Sequence, residues 1–126
     1  MKYLLDTNAL LYTFSAPSEL SARARRIVRS QKDLSVSFVS FWEIAIKQSI
    51  GKLKFNMTIP ELEMQCHERN IRILGISSIA LERIKELPQI HGDPFDRFLI
   101  AQAQTDDMVI VTCDRIIPKY PVRTAW

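Results

Sequence analysis

The chain has 126 residues, 47% of them hydrophobic and 25% charged, and carries a net charge of +3. This size and balance predict a single globular domain over residues 1–126 and argue against disorder. The longest apolar run falls well short of the roughly 20 residues that cross a bilayer, so no membrane span is expected. Two cysteines outside any CxxC pair are typical of a reduced, cytoplasmic protein.

The first part of the chain alternates strand-like and helix-like segments. Residues 2–5 predict a short buried strand and residues 9–14 a short helix. A second helix is expected to begin with Ser18 as its N-cap. Residues 34–39 predict the next strand, after which Ser40 begins a helix. The outer sides of the second helix carry Arg23, Arg25, Arg26 and Arg29, which we interpret as a solvated face rather than an RNA clamp.

The alternation continues to the end of the chain. The predicted elements are a connector (52–57), a helix from Ile59, a strand (72–74), a helix capped by Ser77 or Ser78, a helix capped by Asp93, a strand (108–111) and a terminal strand (120–126). Pro121 places the last strand at a sheet edge. The pattern predicts an α/β fold, a three-layer α/β/α sandwich with a mostly parallel sheet of four to five strands.

Acidic residues occur at strand ends and helix starts, at Asp6, Glu43, Asp93, Asp96 and Asp114. A parallel sheet gathers its strand C-termini at one edge, so these side chains are expected to converge. Two carboxylates ~4 Å apart repel by about 4 kcal/mol at an effective dielectric near 20. Such a cluster needs a cation, and oxygen ligands suit Mg²⁺ or Mn²⁺. We interpret the chain as a metal-dependent phosphodiesterase.

Each acid also has a purely structural interpretation. Asp6 could form an Asx turn or cap the short helix. Glu43 could close a capping box with Ser40, and Asp93 is most simply an N-cap. Asp96 lies where the helix dipole stabilises anions. Asp114 could be a plain turn residue. The coincidence of all five at one predicted edge favours the functional interpretation.

Four segments of the chain look like the motifs of a known family. They are residues 5–11, residues 40–47 with 51–53, residues 91–103 and residues 112–114. With these motifs the chain resembles the PIN-domain ribonucleases, and among them the VapC toxins of prokaryotic toxin–antitoxin pairs. The resemblance extends over essentially the whole chain, in the right order and at the right spacing, and it implies a PIN-like fold.

The resemblance also implies a function and a site. The chain would be an endoribonuclease whose catalytic residues Asp6, Glu43, Asp96 and Asp114 hold one or two Mg²⁺ or Mn²⁺ ions. Asp93 would be a fifth ligand or simply a cap. The implied supporting residues are Thr7 and Thr112, which orient carboxylates, and Asn8, which touches water at the metal. In-line attack by water would leave 5′-phosphate and 3′-hydroxyl ends. The implied partners are an RNA substrate, a VapB-like antitoxin and a second copy of the chain.

Other possibilities remain open at this point. A non-catalytic RNA- or protein-binding module could keep the fold and use metal only structurally. Phosphoryl transfer to an aspartate is disfavoured, because Asp6 lacks the Asp-x-Asp pair and no lysine follows a late strand. Arg97 is expected either to contact phosphate or to pair with an acid, and His91 to fill a loop or hydrogen-bond an acid. The RNA target and the number of metal ions stay open.

Overall fold

The computed structural model describes residues 1–30 and 32–126. The strands are β1 (Tyr3–Leu5), β2 (Leu34–Ser37), β3 (Arg72–Leu74), β4 (Val109–Val111) and β5 (Thr124–Ala125). The helices are α1 (Thr7–Ser15), α2 (Ala22–Ser30), α3 (Phe38–Ser49), α4 (Ile59–Glu68), α5 (Ser78–Ile84) and α6 (Pro94–Asp106). Each helix of the described residues is too short or too polar to cross a membrane.

The strands form one sheet in the order β3-β2-β1-β4-β5, and every ladder in the described residues is parallel. β1 lies at the centre, where Leu4 is in register with Ser35 of β2 and with Ile110 of β4. Parallel neighbours need crossover connections, which the helices supply. The predicted parallel sheet and the edge position of the last strand are confirmed. The strand is shorter than the predicted 120–126, so Pro121 lies before β5 and not within it.

Successive side chains of β1 point to opposite faces of the sheet, and the sheet separates two hydrophobic cores. Leu5 packs in a cluster with residues of α1 to α4, including Leu10 and Ile44. Leu4 packs in a second cluster with residues of α6, including Leu99. Helices therefore cover both faces, and the predicted three-layer sandwich is confirmed.

Two predicted helix starts are wrong. The cap of α3 is Ser37, whose Oγ accepts a hydrogen bond from the amide of Val39 at 3.2 Å, so Ser40 lies inside the first turn. The apolar residues at 38 and 39 extend the strand pattern but belong to the helix, where Val39 packs against α5 and α6. Ser18 lies in a short 3₁₀ turn, and Ser21 accepts from the amide of Ala24 at the start of α2.

The point where the strand order reverses lies between β1 and β4. The segments that follow these two strands turn to opposite faces of the sheet, and a crevice opens at the C-terminal ends of the strands. The amide of Asp6 donates to the carbonyl of Val111 at 3.1 Å, which fixes Asp6 at the edge of this crevice. Asp114 follows β4 on the other side. The topology thus places two of the predicted site residues at the position where α/β proteins bind ligands.

Candidate active site

Asp6 joins the end of β1 to the start of α1. Its Oδ1 accepts a hydrogen bond from the amide of Ala9 at 2.8 Å, so the carboxylate caps the helix. The side chain is buried, and this burial raises its pKa from 3.8 to about 6. Hydrogen bonds from Thr112 and Ala9 oppose the rise, and the charges of Asp114 and Glu43 add to it. Asp6 therefore carries out its predicted capping role in an environment that disfavours its charge.

Glu43 extends from α3 and is also buried. Its Oε1 lies 2.7 Å from the hydroxyl of Thr7, and its Oε2 lies 2.7 Å from Nζ of Lys47. The Thr7 hydroxyl is also 3.0 Å from the hydroxyl of Ser40. Because a hydroxyl has one proton, Thr7 donates to the carboxylate and accepts from Ser40. The predicted capping box is wrong, and Ser40 instead supports Thr7, which orients Glu43.

Asp93 and Asp96 lie at the start of α6. Asp93 is the N-cap, and its Oδ1 accepts from the amides of Phe95 at 2.8 Å and Asp96 at 3.4 Å. Burial raises the pKa of Asp96 from 3.8 to about 7, and repulsion by Asp93, Asp6 and Glu43 adds to this rise. The predicted N-cap role of Asp93 is confirmed, and the negative charges of three other acids act on Asp96.

Asp114 follows β4 and caps the 3₁₀ turn at Ile117–Lys119. Its Oδ1 accepts from the amides of Ile116 at 2.7 Å and Ile117 at 3.0 Å. Partial burial acts to raise the pKa of Asp114, but these two amides and His91 outweigh it and hold the pKa below 3.8. Asp114 thus stays ionised more readily than Asp6 or Asp96, whose pKa values are raised.

His91 is the residue that links the last two acids. Its Nε2 lies 3.0 Å from Oδ2 of Asp96 and 3.3 Å from Oδ2 of Asp114. One ligand atom from each of these three residues lies within 4.8 Å of the other two. The expected hydrogen bond from His91 to an acid is confirmed, and it reaches two acids.

The structure brings all five predicted acids to the C-terminal edge of the sheet. Their mutual repulsion contributes to the raised pKa values of Asp6 and Asp96, so the cluster holds more negative charge than its surroundings balance. A set of carboxylate oxygens fits a hard divalent cation such as Mg²⁺ or Mn²⁺. Asn8 is exposed on the first turn of α1, beside Asp6.

Both predicted roles of Arg97 are wrong. Its guanidinium is buried and donates to the carbonyl of Pro88 at 2.8 Å, to the Tyr120 hydroxyl at 3.1 Å and to the carbonyl of Ile84 at 3.3 Å. One residue corresponds to roughly 100° around a helix axis, so Arg97 points away from the face that carries Asp96. Arg97 is a structural residue that ties α6 to the segment after α5.

The cation that faces the site is Lys47, which the sequence interpretation did not single out. Its side chain is 43% exposed although that of its partner Glu43 is 6% exposed. The hydrogen bond that Lys47 donates to Glu43 and the charges of Glu43, Asp93 and Asp96 raise the pKa of Lys47. The spacing of four residues from Glu43 to Lys47 is the signal that could have identified this pair.

Comparison with known proteins gives a consistent result. Residues 3–122 match the family model of the PIN domain. The chain is 28% identical over 114 residues to ribonuclease VapC22 of Mycobacterium tuberculosis, a match that covers 89% of this chain and 86% of the relative. Its fold is similar to that in VapBC2 from Rickettsia felis bound to a promoter DNA fragment (TM-score 0.73, 15% identity, 99% of this chain and 98% of that one). It is also similar to that in DNA-bound VapBC from Salmonella typhimurium (TM-score 0.68, 18% identity, 99% and 97%).

Proposed function

The chain belongs to the PIN domain family, and from this premise we propose that it is a divalent-metal-dependent endoribonuclease. The observation that carries the proposal is the convergence of five acids from four separate segments, where burial, with mutual repulsion adding to it, raises the pKa of Asp6 to about 6 and of Asp96 to about 7. Perturbed carboxyl groups gathered in a crevice are typical of functional sites. The similar protein from Mycobacterium tuberculosis is a ribonuclease by name, which supports RNA as the substrate.

We propose that Asp6, Asp96 and Asp114 hold the cation, Mg²⁺ or Mn²⁺. When bound, the cation would stabilise charge on the phosphate and activate water as a nucleophile. Thr112 donates to Asp6 and its hydroxyl accepts from the amide of Asp114 at 2.9 Å, so it sets the spacing of these two acids.

Glu43 would act on the attacking water. Its Oε2 already pairs with a cation, the ammonium of Lys47 at 2.7 Å, which favours a single metal ion and a Glu43 that orients water over one that binds a second ion. The buried carboxylate would accept a proton from the water as its oxygen bonds to phosphorus and the bond to the 3′ oxygen breaks, and the 3′ oxygen would take up a proton from solvent. The products would carry 5′-phosphate and 3′-hydroxyl ends.

Lys47 would contact the scissile phosphate. A polyanion that approaches an acidic cluster needs a cation in its path, and the half-exposed side chain of Lys47 lies at the edge of this cluster. Arg97 cannot serve, because its three donated hydrogen bonds hold it on the other side of α6.

The proposed partners are a VapB-like antitoxin and a second copy of the chain. Solved structures of similar fold are VapBC complexes, which supports an antitoxin. Helix α3 exposes Phe38, Trp42 and Ile46 at intervals of four residues, and α5 exposes Ile79 and Leu81. Exposed apolar side chains in this number mark a protein interface, which supports a homodimer. We place the protein in the cytoplasm.

Cleavage of a cellular RNA pool by purified protein tests the function. Wild type would be compared with Asp96→Asn and with Asp107→Asn, whose side chain is 90% exposed, in Mg²⁺ or Mn²⁺ and in EDTA. We expect discrete fragments with 5′-phosphates from wild type and Asp107→Asn, and none from Asp96→Asn or in EDTA. RNA that is bound but left intact by all three would support a non-catalytic module. Equal cleavage by all three would indicate a contaminating nuclease.

A further inference from the structure

We propose that His91 is a positioning residue that holds Asp96 and Asp114 at the spacing a cation needs, and that Tyr120 and Arg97 hold His91. The inference rests on the proposed function, because it concerns how the chain prepares the cation site. Asp96 and Asp114 come from different elements, α6 and the segment after β4, so some contact must set the distance between them. The His91 ring makes that contact, with Nε2 lying 3.0 Å from one carboxylate and 3.3 Å from the other.

The hydrogen bond at the opposite side of the ring decides what Nε2 can do. The amide of Asp93 donates to Nδ1 of His91 at 3.1 Å, so Nδ1 carries a lone pair. The proton of a neutral imidazole must then lie on Nε2. An Nε2–H group donates hydrogen bonds and does not bind a metal through that atom. His91 is therefore an orienting donor to Asp96 and Asp114, and within the described residues it engages Oδ2 of Asp96 and leaves Oδ1 for a cation.

A buried network fixes the loop that carries His91. The Tyr120 hydroxyl accepts from the amides of Ile90 at 3.1 Å and His91 at 2.7 Å. Arg97 donates to the same hydroxyl at 3.1 Å and to the carbonyl of Pro88 at 2.8 Å. Tyr120 and Arg97 are 3% and 8% exposed, so solvent competes little for these hydrogen bonds.

The network also explains how the two acids are tied together. Tyr120 lies six residues beyond Asp114 in the segment after β4, and Arg97 follows Asp96 in α6. The same two elements that carry the acids are therefore joined a second time, underneath the His91 loop. Residues that hydrogen-bond metal ligands typically change metal affinity or activity by about 10–100-fold when removed.

Titration of the metal-free full chain with Mn²⁺, followed by calorimetry and by electron paramagnetic resonance, tests the inference without RNA. The variants are His91→Ala, His91→Gln and Tyr120→Phe, with Tyr3→Phe at the far end of β1 as the matched control. Glutamine can place its amide nitrogen near the position of Nε2 and keep the donor. Circular dichroism and thermal melts establish that each variant is folded.

We expect His91→Ala to raise the Kd for Mn²⁺ by about 10–100-fold and His91→Gln to keep a Kd close to that of wild type. Tyr120→Phe should raise the Kd by a smaller factor, and Tyr3→Phe should leave it unchanged. Unchanged or tighter binding by folded His91→Ala would overturn the inference, as would His91→Gln binding as weakly as His91→Ala. If wild type bound no Mn²⁺, or if Asp96→Asn bound it as tightly as wild type, the proposed function would fail instead. The two failures are therefore distinguishable.

Discussion

Replacing Asp96 with Asn should inactivate the protein and at the same time stabilise its metal-free form. The carboxyl group is held among other acids, where burial and then the charges of Asp93, Asp6 and Glu43 raise its pKa from 3.8 to about 7. Asparagine has a similar shape and no charge, and its carbonyl can still accept the hydrogen bond from His91. The variant thus removes the electrostatic penalty and keeps most of the packing.

The size of the effect depends on pH in a defined way. Since the pKa of Asp96 is higher in the folded than in the unfolded protein, the folded state keeps its proton longer and stability falls as pH rises from about 4 to about 7. At 1.36 kcal/mol per pKa unit, the difference between 3.8 and about 7 corresponds to about 4 kcal/mol. The 16% exposure of the side chain leaves little screening by solvent. We expect Asp96→Asn to be more stable by about 4 kcal/mol at pH 8 and by roughly 2 kcal/mol at pH 5.

Urea denaturation in EDTA at both pH values measures this difference. Asp107→Asn is the matched control, because its side chain is exposed and its backbone φ of 53° is one that asparagine adopts readily. The control should change little at either pH. If Asp96→Asn were no more stable than wild type at pH 8, or if its gain were the same at both pH values, the assignment of Asp96 to a repulsive acidic cluster would be refuted.

Four further predictions concern single residues. Arg97→Lys should lower the free energy of unfolding, measured in urea, by about 2–4 kcal/mol, because lysine cannot make the buried hydrogen bonds of the guanidinium. A variant that is as stable as wild type but binds RNA more weakly would indicate that Arg97 contacts phosphate. Lys47→Met should lower kcat/KM for RNA by about 10²-fold, and unchanged kinetics would remove Lys47 from the phosphate path. Asp93→Asn, which keeps a good N-cap, should retain Mn²⁺ affinity, whereas a loss as large as that of Asp96→Asn would make Asp93 a ligand. Trp42→Glu should convert a homodimer to a monomer in light scattering, and a wild type that is already monomeric would contradict the proposed interface.

Most of the fold could be predicted because the local sequence patterns indicate the same strands that the sheet contains. The strands at 3–5, 72–74 and 109–111 are short, mostly apolar runs with turn residues after them. The edge position of the last strand was also predicted, although Pro121, on which that prediction rested, lies before β5. The start of α3 was mispredicted because Phe38 and Val39 prolong a strand-like run, and periodicity does not separate a buried strand from a buried helix turn. Only the packing of Val39 against α5 and α6 decides between them.

The site was predictable for the acids and not for the residues that support them. Asp6 and Asp114 follow strands, and a parallel sheet brings strand ends together whatever the intervening sequence. The contacts of Arg97 with Tyr120, by contrast, join positions 23 residues apart and depend on the direction of one side chain in α6. No spacing rule reports that direction. The Glu43–Lys47 pair lies between these cases, since its four-residue spacing is visible in the sequence but common on any helix.

The local roles of the acids and their proposed function are compatible because they act on different scales. Asp6, Asp93 and Asp114 each accept amide hydrogen bonds at a helix or turn start, which would stabilise the fold with no metal present. The penalty arises from burial of the charges and from the repulsion between them, and it is largest at Asp96, where burial and three acids act together. A cation that relieves this repulsion must stabilise the folded chain, by about 2.7 kcal/mol at one hundred times its Kd. Asp96→Asn should gain stability in EDTA and lose this response to Mn²⁺, because one carboxylate is the source of both effects.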